Sequence, residues 1–497
     1  MIERSLILAL LLMITAALNG CKKGETQTPV VLRAKENDKV TCPNCKVISS
    51  ATELSALTLV PGDTIILKSG TWDNQRLILK GVGTLDKPIV LKAEKAGDVN
   101  LKGASSIAID GQWLVVDGLS FNNGNLAVSK LNVVDFSVGS RNCRITNTSI
   151  VDYNPIDQTV DYRWISINGK NNRIDHCYLK GKAHQGPTMV IWGTNSVLAH
   201  RIDHNYFGER PDLGNNGGET IRVGTSDYYL NEAQVLIEEN IFEHCNGETE
   251  IISNKMSKNT IRNNLFFESR GTLCLRHGNS SEVYGNYIIG NNVSNAGGIR
   301  TIGEGHLIYN NYLQGIATTG QTSAIAILDG VPNSEPSGYF QVKNARIVGN
   351  TIVNCVQAFD VGAGKGGNNR TVPPADCIIA NNLILSKSGI AVAYTDQPQN
   401  FFYEGNIAFG MGSGQTLALP AGIQQTDPKM ELIDGFNTYF PAANSPATGG
   451  FKGSYTFFQS NNIGANALDA LHKSLLKANG IGPLWMTNLG TVLIVKN

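Results

Sequence analysis

Two glutamates lie two residues apart in the stretch CNGETEIISNK, residues 245–255, and a lysine follows the second of them five residues later. The carboxylates are Glu248 and Glu250, and the amine is Lys255. Side chains at i and i+2 of a β-strand point to the same side, with Cβ atoms roughly 6.5 Å apart. Two carboxylates at that spacing suit a solvated surface pair, the acid and base of glycoside hydrolysis, or two ligands of Ca²⁺, which takes oxygen donors.

Further polar residues lie at suggestive distances from this stretch. Asn216, in NNGGETIR, offers a carbonyl oxygen to the same ion, and Gly217 and Gly218 would let the backbone pass close to it. Arg276 follows Lys255 by 21 residues. Each of these residues alone is an ordinary surface group. Only their coincidence in adjacent structural repeats would make them a candidate site.

A short segment containing asparagine recurs through the middle of the chain. Each copy has an aliphatic residue, two variable residues, an asparagine and a short apolar run, as in LIEENIF and TIRNNLF. The recurring asparagines are Asn205, Asn240, Asn264, Asn286, Asn311, Asn350, Asn382 and Asn406. Their short spacings cluster near two dozen residues, and the long ones fit inserted loops. We therefore predict an all-β fold, a single-stranded right-handed parallel β-helix with one coil per repeat and a ladder of stacked asparagines.

Stacking of coils converts distance along the chain into position on one face of the protein. Residues one coil apart lie ~4.8 Å apart in space, because successive coils pair as parallel strands. Counted from the asparagines, Glu250, Arg276 and Arg300 occupy similar positions in three consecutive coils. Arg222 lies on the coil before Glu250. These residues predict a charged line parallel to the axis, where a long unbranched acidic polymer would bind.

Composition and net charge narrow the class of protein. The chain of 497 residues has 41 basic and 41 acidic residues, so no net positive charge draws it to nucleic acid. Cys42 and Cys45 form the motif CPNC, which could be a redox motif or half of a zinc site. Because no second CxxC accompanies it, we interpret the pair as a local disulfide or as part of a terminal segment without a specific role. The cysteines within the repeats are expected to be buried free thiols.

The first 21 residues have the pattern of an export signal. Glu3 and Arg4 precede an apolar run from Leu6 to Leu18, which is shorter than the ~20 residues of a membrane span. The run leads to LNGC, which resembles the lipobox of bacterial lipoproteins and implies a lipidated Cys21. We expect an outer-membrane lipoprotein that contacts the membrane only through this anchor. A plain secretory signal is the alternative.

The rest of the chain divides into three expected segments. Residues 22–50 are predicted to form a linker, residues 51–450 the β-helix, and residues 451–497 a C-terminal cap. The last segment contains ALDALHKSLLKANG, which has a helical pattern, and we expect it to close the open end of the coil stack.

At the polar residues described above, the sequence resembles polysaccharide lyase family 6, which contains alginate lyases and chondroitinase B. The matching stretches are NGGETIR at 216–222, ETEIISNK at 248–255 and RHG at 276–278. The likeness extends from PGDTI at 61–65 to SPATGGF near residue 451. Several alginate-degrading members carry a second β-helix, whereas this chain is expected to have one.

The family pattern, carried over residue by residue, implies roles for eight side chains. It makes three of them calcium ligands: Asn216, Glu248 and Glu250. It makes two of them catalytic: Lys255 as the base and Arg276 as the acid. The others would bind substrate: Arg222, His277 and Arg300.

The resemblance implies β-elimination from a uronate polysaccharide, with alginate as the expected substrate and dermatan sulfate as the alternative. The proton on C5 is weakly acidic, so the charge that develops beside it must be neutralised, a task suited to Ca²⁺. A hydrolase of the polygalacturonase kind, with Glu248 and Glu250 as catalytic acids, stays open. So does a non-catalytic glycan-binding lipoprotein. Only elimination leaves an unsaturated uronate that absorbs in the ultraviolet.

Overall fold

The computed structural model of the protein describes residues 45–214, 216–487, 489 and 495. The predicted export signal with Cys21, most of the predicted linker and Cys42 lie outside these residues. Within the described ranges, no helix combines the length and the apolar character needed to cross a membrane.

Short parallel strands wind through the chain in coils of three. In one coil, Leu236–Glu238, Ile241–Glu243 and Glu250–Asn254 follow one another and belong to three different sheets. Each of them pairs in parallel with the corresponding strand of the next coil. The predicted all-β parallel β-helix is therefore confirmed.

The three sheets run the length of the stack. In spatial order, sheet A contains the strands Lys46–Ile48, Thr64–Leu67, Ile89–Ala93, Leu114–Asp117, Arg144–Thr146, Arg173–Asp175, Arg201–Asp203, Leu236–Glu238, Thr260–Arg262, Glu282–Tyr284, Leu307–Tyr309, Arg346–Val348, Ile378–Ala380 and Phe402–Glu404. Sheet B contains Gly70–Asp73, Val99–Gly103, Leu119–Gly124, Ser149–Val151, Tyr178–Lys180, Tyr206–Phe207, Ile241–Glu243, Leu265–Phe267, Tyr287–Ile289, Tyr312–Gln314, Thr351–Val353, Leu383–Leu385, Asn406–Phe409 and Ile423–Gln425. Sheet C contains Arg76–Val82, Ser106–Gln112, Asn132–Phe136, Arg163–Ile167, Met189–Ile191, Ile221–Val223, Glu250–Asn254, Gly271–Leu275, Ala296–Thr301, Ile325–Leu328, Gln357–Ala363 and Ile390–Tyr394.

The remaining elements lie before, between and after the coils. An antiparallel pair, Met430–Ile433 and Thr438–Pro441, follows the last coil. The α-helices are Ala51–Ser55 and Ala470–Leu476. Short 3₁₀ turns lie at Ser226–Tyr228, Gly320–Thr322 and Gly367–Asn369.

Aliphatic side chains from all three sheets fill the interior of the coils. Rows of like residues run along the axis, for example the fully buried Ile145, Ile174, Ile202 and Ile237 of sheet A. One coil alone cannot cover its apolar side chains, so each coil depends on its neighbours for stability. This continuous core holds the outward-facing side chains in fixed register.

The recurring asparagines form a hydrogen-bonded ladder at the turn between sheets A and B. From Asn205 to Asn406, each Nδ2 donates to the Oδ1 of the asparagine one coil further on, at 2.9–3.0 Å. The same Oδ1 also accepts from the backbone N–H of the preceding asparagine. Every member is at most 1% exposed, so its amide must pair within the protein. The predicted ladder is confirmed.

Replacing Asn264 by alanine should lower the free energy of unfolding by about 1–3 kcal/mol. Its Nδ2 donates to Ile237 O, Arg262 O and Asn286 Oδ1, and its Oδ1 accepts from the buried Asn240 N–H. The substitution removes these hydrogen bonds. Denaturant unfolding of the variant beside Asn195→Ala, which alters an exposed asparagine, would measure the difference. Equal unfolding free energies for the two variants would contradict a stabilising role for the ladder.

The β-helix begins earlier than the sequence predicted. Lys46–Ile48 is already a strand of sheet A, paired in parallel with Thr64–Leu67, so the first coil starts inside the segment expected to be a linker. The helix Ala51–Ser55 follows and buries Leu54 in the core. A strand of three residues has too little alternation to be recognised from sequence, and only its pairing reveals it.

The C-terminal segment runs along the outside of the coils, which contradicts the predicted cap. The helix Ala470–Leu476 packs against the outer face of the strand Leu265–Phe267 in sheet B. Further along, Trp485 Nε1 donates to Asn147 O, on a much earlier coil. Sheet B presents large apolar side chains outward, and the amphipathic tail covers them, which explains its path.

The cysteines follow the prediction where the structure describes them. Cys45 is disulfide-bonded. The six cysteines within the repeats are free and buried, as expected: Cys143, Cys177, Cys245, Cys274, Cys355 and Cys377.

Candidate active site

The candidate residues lie on the outward side of sheet C and in the loops beside it. One row of this sheet passes through four consecutive coils at Arg222, Ser253, Cys274 and Arg300. Arg222 and Arg300 are therefore in register, three coils apart. Lys255 follows the strand that contains Ser253 and lies between the two arginines along the axis.

Glu250 and Arg276 flank this row rather than belonging to it. The sequence predicted similar positions for Glu250, Arg276 and Arg300, but Glu250 precedes the row residue Ser253 by three positions and Arg276 follows the row residue Cys274 by two. The register also shifts by one residue after Glu250 and again after Gly271, and such irregularities cannot be counted from the asparagines.

The side chains nevertheless converge. Glu250 Oε1 lies 3.7 Å from Arg276 Nε and 3.8 Å from Arg300 Nη1. Its Oε2 accepts a hydrogen bond from Ser253 Oγ at 2.5 Å. The predicted charged line thus exists as a set of contacts across neighbouring coils.

Glu248 lies in the turn before the strand that begins at Glu250, not within the strand as the spacing predicted. The Gly217 N–H donates to Glu248 Oε2 at 3.3 Å, which brings the loop containing Asn216 against this carboxylate. Three predicted ligands from two coils are thereby placed in one region. The Asn216 side chain is exposed there.

Two glycines and two buried basic side chains hold these loops together. A Cβ on Gly218 or Gly247 would lie 2.2 Å from the carbonyl oxygen of the other residue, so only glycine permits this approach. Behind them, Arg210 is 2% exposed and donates from Nη1 to the Glu219 carbonyl at 2.7 Å. The amine of Lys182, 1% exposed, donates to three carbonyls of the adjacent loop. These hydrogen bonds to backbone carbonyls therefore fix the geometry of the loops.

Three carboxyl groups lie near one another beside these basic side chains, namely those of Glu219, Glu248 and Glu250. Glu219 Oε2 and Glu248 Oε1 are buried and have no hydrogen-bond partner. Burial, together with the charges of Glu219 and Glu250, raises the pKa of Glu248 to about 8. Sequence analysis missed Glu219, although it lies in the quoted NGGETIR stretch, because its 2% exposure depends on the packing of neighbouring loops.

These groups fit a calcium ion. Asn216, Glu248 and Glu250 supply only oxygen donors, which Ca²⁺ prefers, and a cation would relieve the repulsion between the carboxylates. Among the described residues, no three His, Cys, Asp or Glu side chains are arranged to share one ion. The amide oxygen of Asn216 could complete a ligand set with the two carboxylates.

Arg276 is held by the loop that follows the strand Ile325–Leu328. Its Nη1 donates to Gly338 O at 2.7 Å, and its Nη2 donates to Ser337 O at 3.1 Å. The guanidinium carbon lies 4.3 Å from the centre of the Tyr339 ring. These contacts fix the orientation of the guanidinium before any substrate arrives.

His277 reaches the site but is buried there. It is 2% exposed, and its Nε2 lies 3.1 Å from Ser226 Oγ. Burial, followed by the charges of Arg276 and Lys255, lowers the pKa of His277 to about 3, so the ring is neutral at neutral pH. The charge of Lys255 contributes to lowering the pKa of His277 and also acts to lower that of Glu248.

Three guanidinium groups lie close to the ring of Tyr339. Their central carbons lie 4.3 Å (Arg276), 4.6 Å (Arg370) and 5.8 Å (Arg300) from the centre of its ring. Gln321 Oε1 accepts from Arg300 at 3.1 Å and from Arg370 at 2.9 Å. Sequence analysis missed Tyr339, Arg370 and Gln321. They lie in loops inserted between coils, where counting from the asparagines no longer gives position.

The chain is similar in sequence and in fold to proteins of known type. The family model described as Chondroitinase B matches residues 48–411. The fold is similar to the PL6 family alginate lyase AlyGC, with 34% identity, a TM-score of 0.80, and coverage of 90% of this chain and 59% of that one. It is also similar to a mannuronic acid specific polysaccharide family 6 lyase from human gut microbiota, with 30% identity and a TM-score of 0.68.

The two similar structures differ in how much of their length is matched. The chain spans only 59% of AlyGC, but 91% of the gut lyase, for which 77% of this chain is covered. No curated protein matches the chain. The match over residues 48–411 includes every predicted site residue and most of the coils. The chain therefore belongs to polysaccharide lyase family 6.

Proposed function

We propose that the protein is a calcium-dependent lyase that cleaves alginate by β-elimination. The observation that supports it most directly is the placement of Lys255 and Arg276 beside carboxylates whose repulsion calls for a cation. The substrate follows from the relatives, since both are described as lyases of alginate or mannuronic acid. The description of the matching family model makes dermatan sulfate the second substrate to test.

The chemical step needs a base, a stabiliser of the leaving oxygen and a neutralised carboxylate. In its neutral form, Lys255 would accept the proton from C5 of the uronate. The electron pair of the broken C–H bond forms the C4–C5 double bond, and the bond from C4 to the bridging oxygen breaks. Arg276 would stabilise the negative charge on that departing oxygen, because its guanidinium is already oriented by loop carbonyls.

The metal would be held by Asn216, Glu248 and Glu250. Bound calcium would supply Lewis-acid stabilisation of the uronate carboxylate as C5 loses its proton. Without it, the substrate carboxylate would approach the negative charges of Glu219 and Glu250, and this repulsion would oppose binding. The buried Arg210 behind the loop offsets only part of this negative charge.

Product analysis tests the proposal. The purified protein should be incubated with alginate, its mannuronate-rich and guluronate-rich block polymers, and dermatan sulfate. We expect ultraviolet absorbance from unsaturated uronate with alginate. New reducing ends without that absorbance would instead indicate hydrolysis, and binding without any product would indicate a glycan-binding protein. Cleavage of dermatan sulfate alone would replace the proposed substrate.

Arg222→Ala and Arg300→Ala should weaken substrate binding more than they slow the chemical step. Both lie in the outward row of sheet C on either side of Lys255, where neighbouring uronates would lie. Loss of a charge-assisted contact to a carboxylate costs roughly 1.5–3 kcal/mol, and contacts made equally in ground and transition states appear in KM.

Kinetics on alginate oligomers of graded length, beside Arg76→Ala at an exposed arginine of the same sheet, would measure this. An unchanged KM for both variants at every length would rule out substrate binding by these arginines. A lower kcat with an unchanged KM would instead assign Arg222 and Arg300 a role in the chemical step.

We also propose export and lipidation at Cys21, supported by the LNGC stretch that ends the apolar run. Expression of the full chain and of Cys21→Ala with a radiolabelled fatty acid tests this. Label should enter the first protein and not the second. Equal labelling would exclude Cys21 as the site of lipidation.

A further inference from the structure

A second cluster of one aromatic ring and two guanidinium groups lies on the other side of Lys255 from Tyr339. The central carbons of Arg163 and Arg222 each lie 5.5 Å from the centre of the Trp192 ring. Trp192 is half-buried and Arg222 is partly exposed. The cluster therefore resembles the arrangement of Arg276, Arg300 and Arg370 around Tyr339.

The position of this cluster follows from the coils. Arg163 begins the strand Arg163–Ile167, Trp192 directly follows Met189–Ile191, and Arg222 lies in Ile221–Val223. These are consecutive strands of sheet C, and the next one leads to Lys255. At ~4.8 Å per coil, the cluster extends the outward face by two coils beyond Arg222, in the direction away from Arg300.

The two cations are only partly compensated. The Nε atoms of Arg163 and Arg222 are both buried without a hydrogen-bond partner. Arg163 Nη2 forms an ion pair of 3.5 Å with Asp161 Oδ2, longer than a charge-assisted hydrogen bond. Two guanidinium groups that share one ring repel each other, so an anion placed between them would be stabilised by both.

The ring itself is fixed in orientation. Trp192 Nε1 donates to Ser166 Oγ at 3.0 Å, one coil earlier. The next residue, Gly193, packs so closely against Tyr228 that a Cβ would lie 2.6 Å from its ring. A flat apolar surface that is already immobilised loses little entropy when a ligand packs against it.

We propose that Trp192, Arg163 and Arg222 form a distal subsite for one uronate of the polymer. The apolar face of the sugar ring would pack on the exposed part of the indole, and its carboxylate would lie between the two guanidinium groups. This inference rests on the proposed function, because it assigns a further sugar of the same substrate. It adds Trp192 and Arg163 to the binding residues and extends the cleft beyond Arg222.

Kinetics on alginate oligomers test the subsite. In the parent enzyme, KM should fall as the oligomer becomes long enough to reach Trp192. Trp192→Ala and Arg163→Met should each remove most of that fall, raising KM for long oligomers about tenfold while leaving KM for the shortest cleaved oligomer and kcat unchanged. Trp192→Phe keeps an aromatic face and should retain part of the gain. Arg76→Met, an exposed arginine on the same sheet, serves as control.

Binding without turnover gives an independent readout. In a Lys255→Ala background, long oligomers should change the tryptophan fluorescence, and the change should be lost when Trp192→Phe is added. Unchanged KM at every length for Trp192→Ala, Trp192→Phe and Arg163→Met would overturn the subsite even if the parent enzyme cleaves alginate. A parent enzyme that forms no unsaturated product from any uronate polymer would overturn the proposed function, and the subsite with it.

Discussion

Lys255→Ala should lower kcat on alginate by roughly 10²–10⁴-fold, the contribution expected of a positioned general base. The side chain follows the strand Glu250–Asn254 directly, and its charge acts on both Glu248 and His277. It belongs neither to the interior core nor to the asparagine ladder, so its removal should not affect folding. Initial rates of ultraviolet product formation would measure the loss, together with binding of alginate oligomers by calorimetry.

The control for this variant is Lys387→Ala, which removes an exposed lysine from a loop on a later coil. Its rate should equal that of the parent enzyme. A folded Lys255→Ala protein that turns over normally would remove this amine from the mechanism. Loss of oligomer binding together with turnover would instead make Lys255 a substrate-binding residue.

Removal of calcium should abolish measurable turnover, and its return should restore it. The buried carboxyl groups at the site are those of Glu219, Glu248 and Glu250, and they repel one another. Their negative charge also opposes the approach of an anionic polymer unless a cation is present. Mg²⁺ should substitute poorly, because it requires a tighter octahedral shell and gives up water reluctantly. Metal analysis of each preparation should accompany the rates. Full activity in a demonstrably metal-free preparation would contradict the calcium requirement.

Calcium binding can also be measured without substrate. At a calcium concentration 100 times Kd, the ion should stabilise the fold by about 2.7 kcal/mol, seen as a rise in the unfolding temperature. Glu248→Gln should reduce that rise, because it removes one charge from the ligand set. Glu232→Gln, at a partly exposed glutamate paired with Lys258, should bind calcium like the parent protein. Equal calcium affinity for both variants would exclude Glu248 as a ligand.

Much of the architecture could be predicted from the sequence because the repeat is local. The buried side-chain amide of the asparagine at each turn must form hydrogen bonds within the protein. The partners that recur at the same turn of each coil are the asparagines of the neighbouring coils. The period therefore implies parallel stacking, and the outward row on sheet C follows from it. The quoted motifs lie beside this row, so Asn216, Glu248 and Lys255 could be placed in one region before the structure was known.

Inserted loops and register shifts prevented the sequence from predicting the positions of the other site residues. Counting residues from an asparagine works only while each coil has the same length, whereas the register shifts after Glu250 and after Gly271. Arg276 lies two residues past Cys274, the row residue that pairs with Arg300. The loop carrying Tyr339 packs on the strand that precedes it and also contacts an earlier coil. It reaches the site through contacts with Arg276, which lies 61 to 62 residues earlier in the chain than the carbonyls it binds.

The sequence by itself determined the parallel β-helix, its asparagine ladder and the region of the chain that holds the motifs. Only the tertiary structure decided that Glu219 is buried, that the guanidinium groups of Arg163 and Arg222 both lie against Trp192, and that the tail covers sheet B instead of closing the stack. The physical reason is the range of the interactions. Turn hydrogen bonds and strand alternation repeat within one coil, whereas burial and charge compensation depend on residues brought together from several coils and their inserted loops.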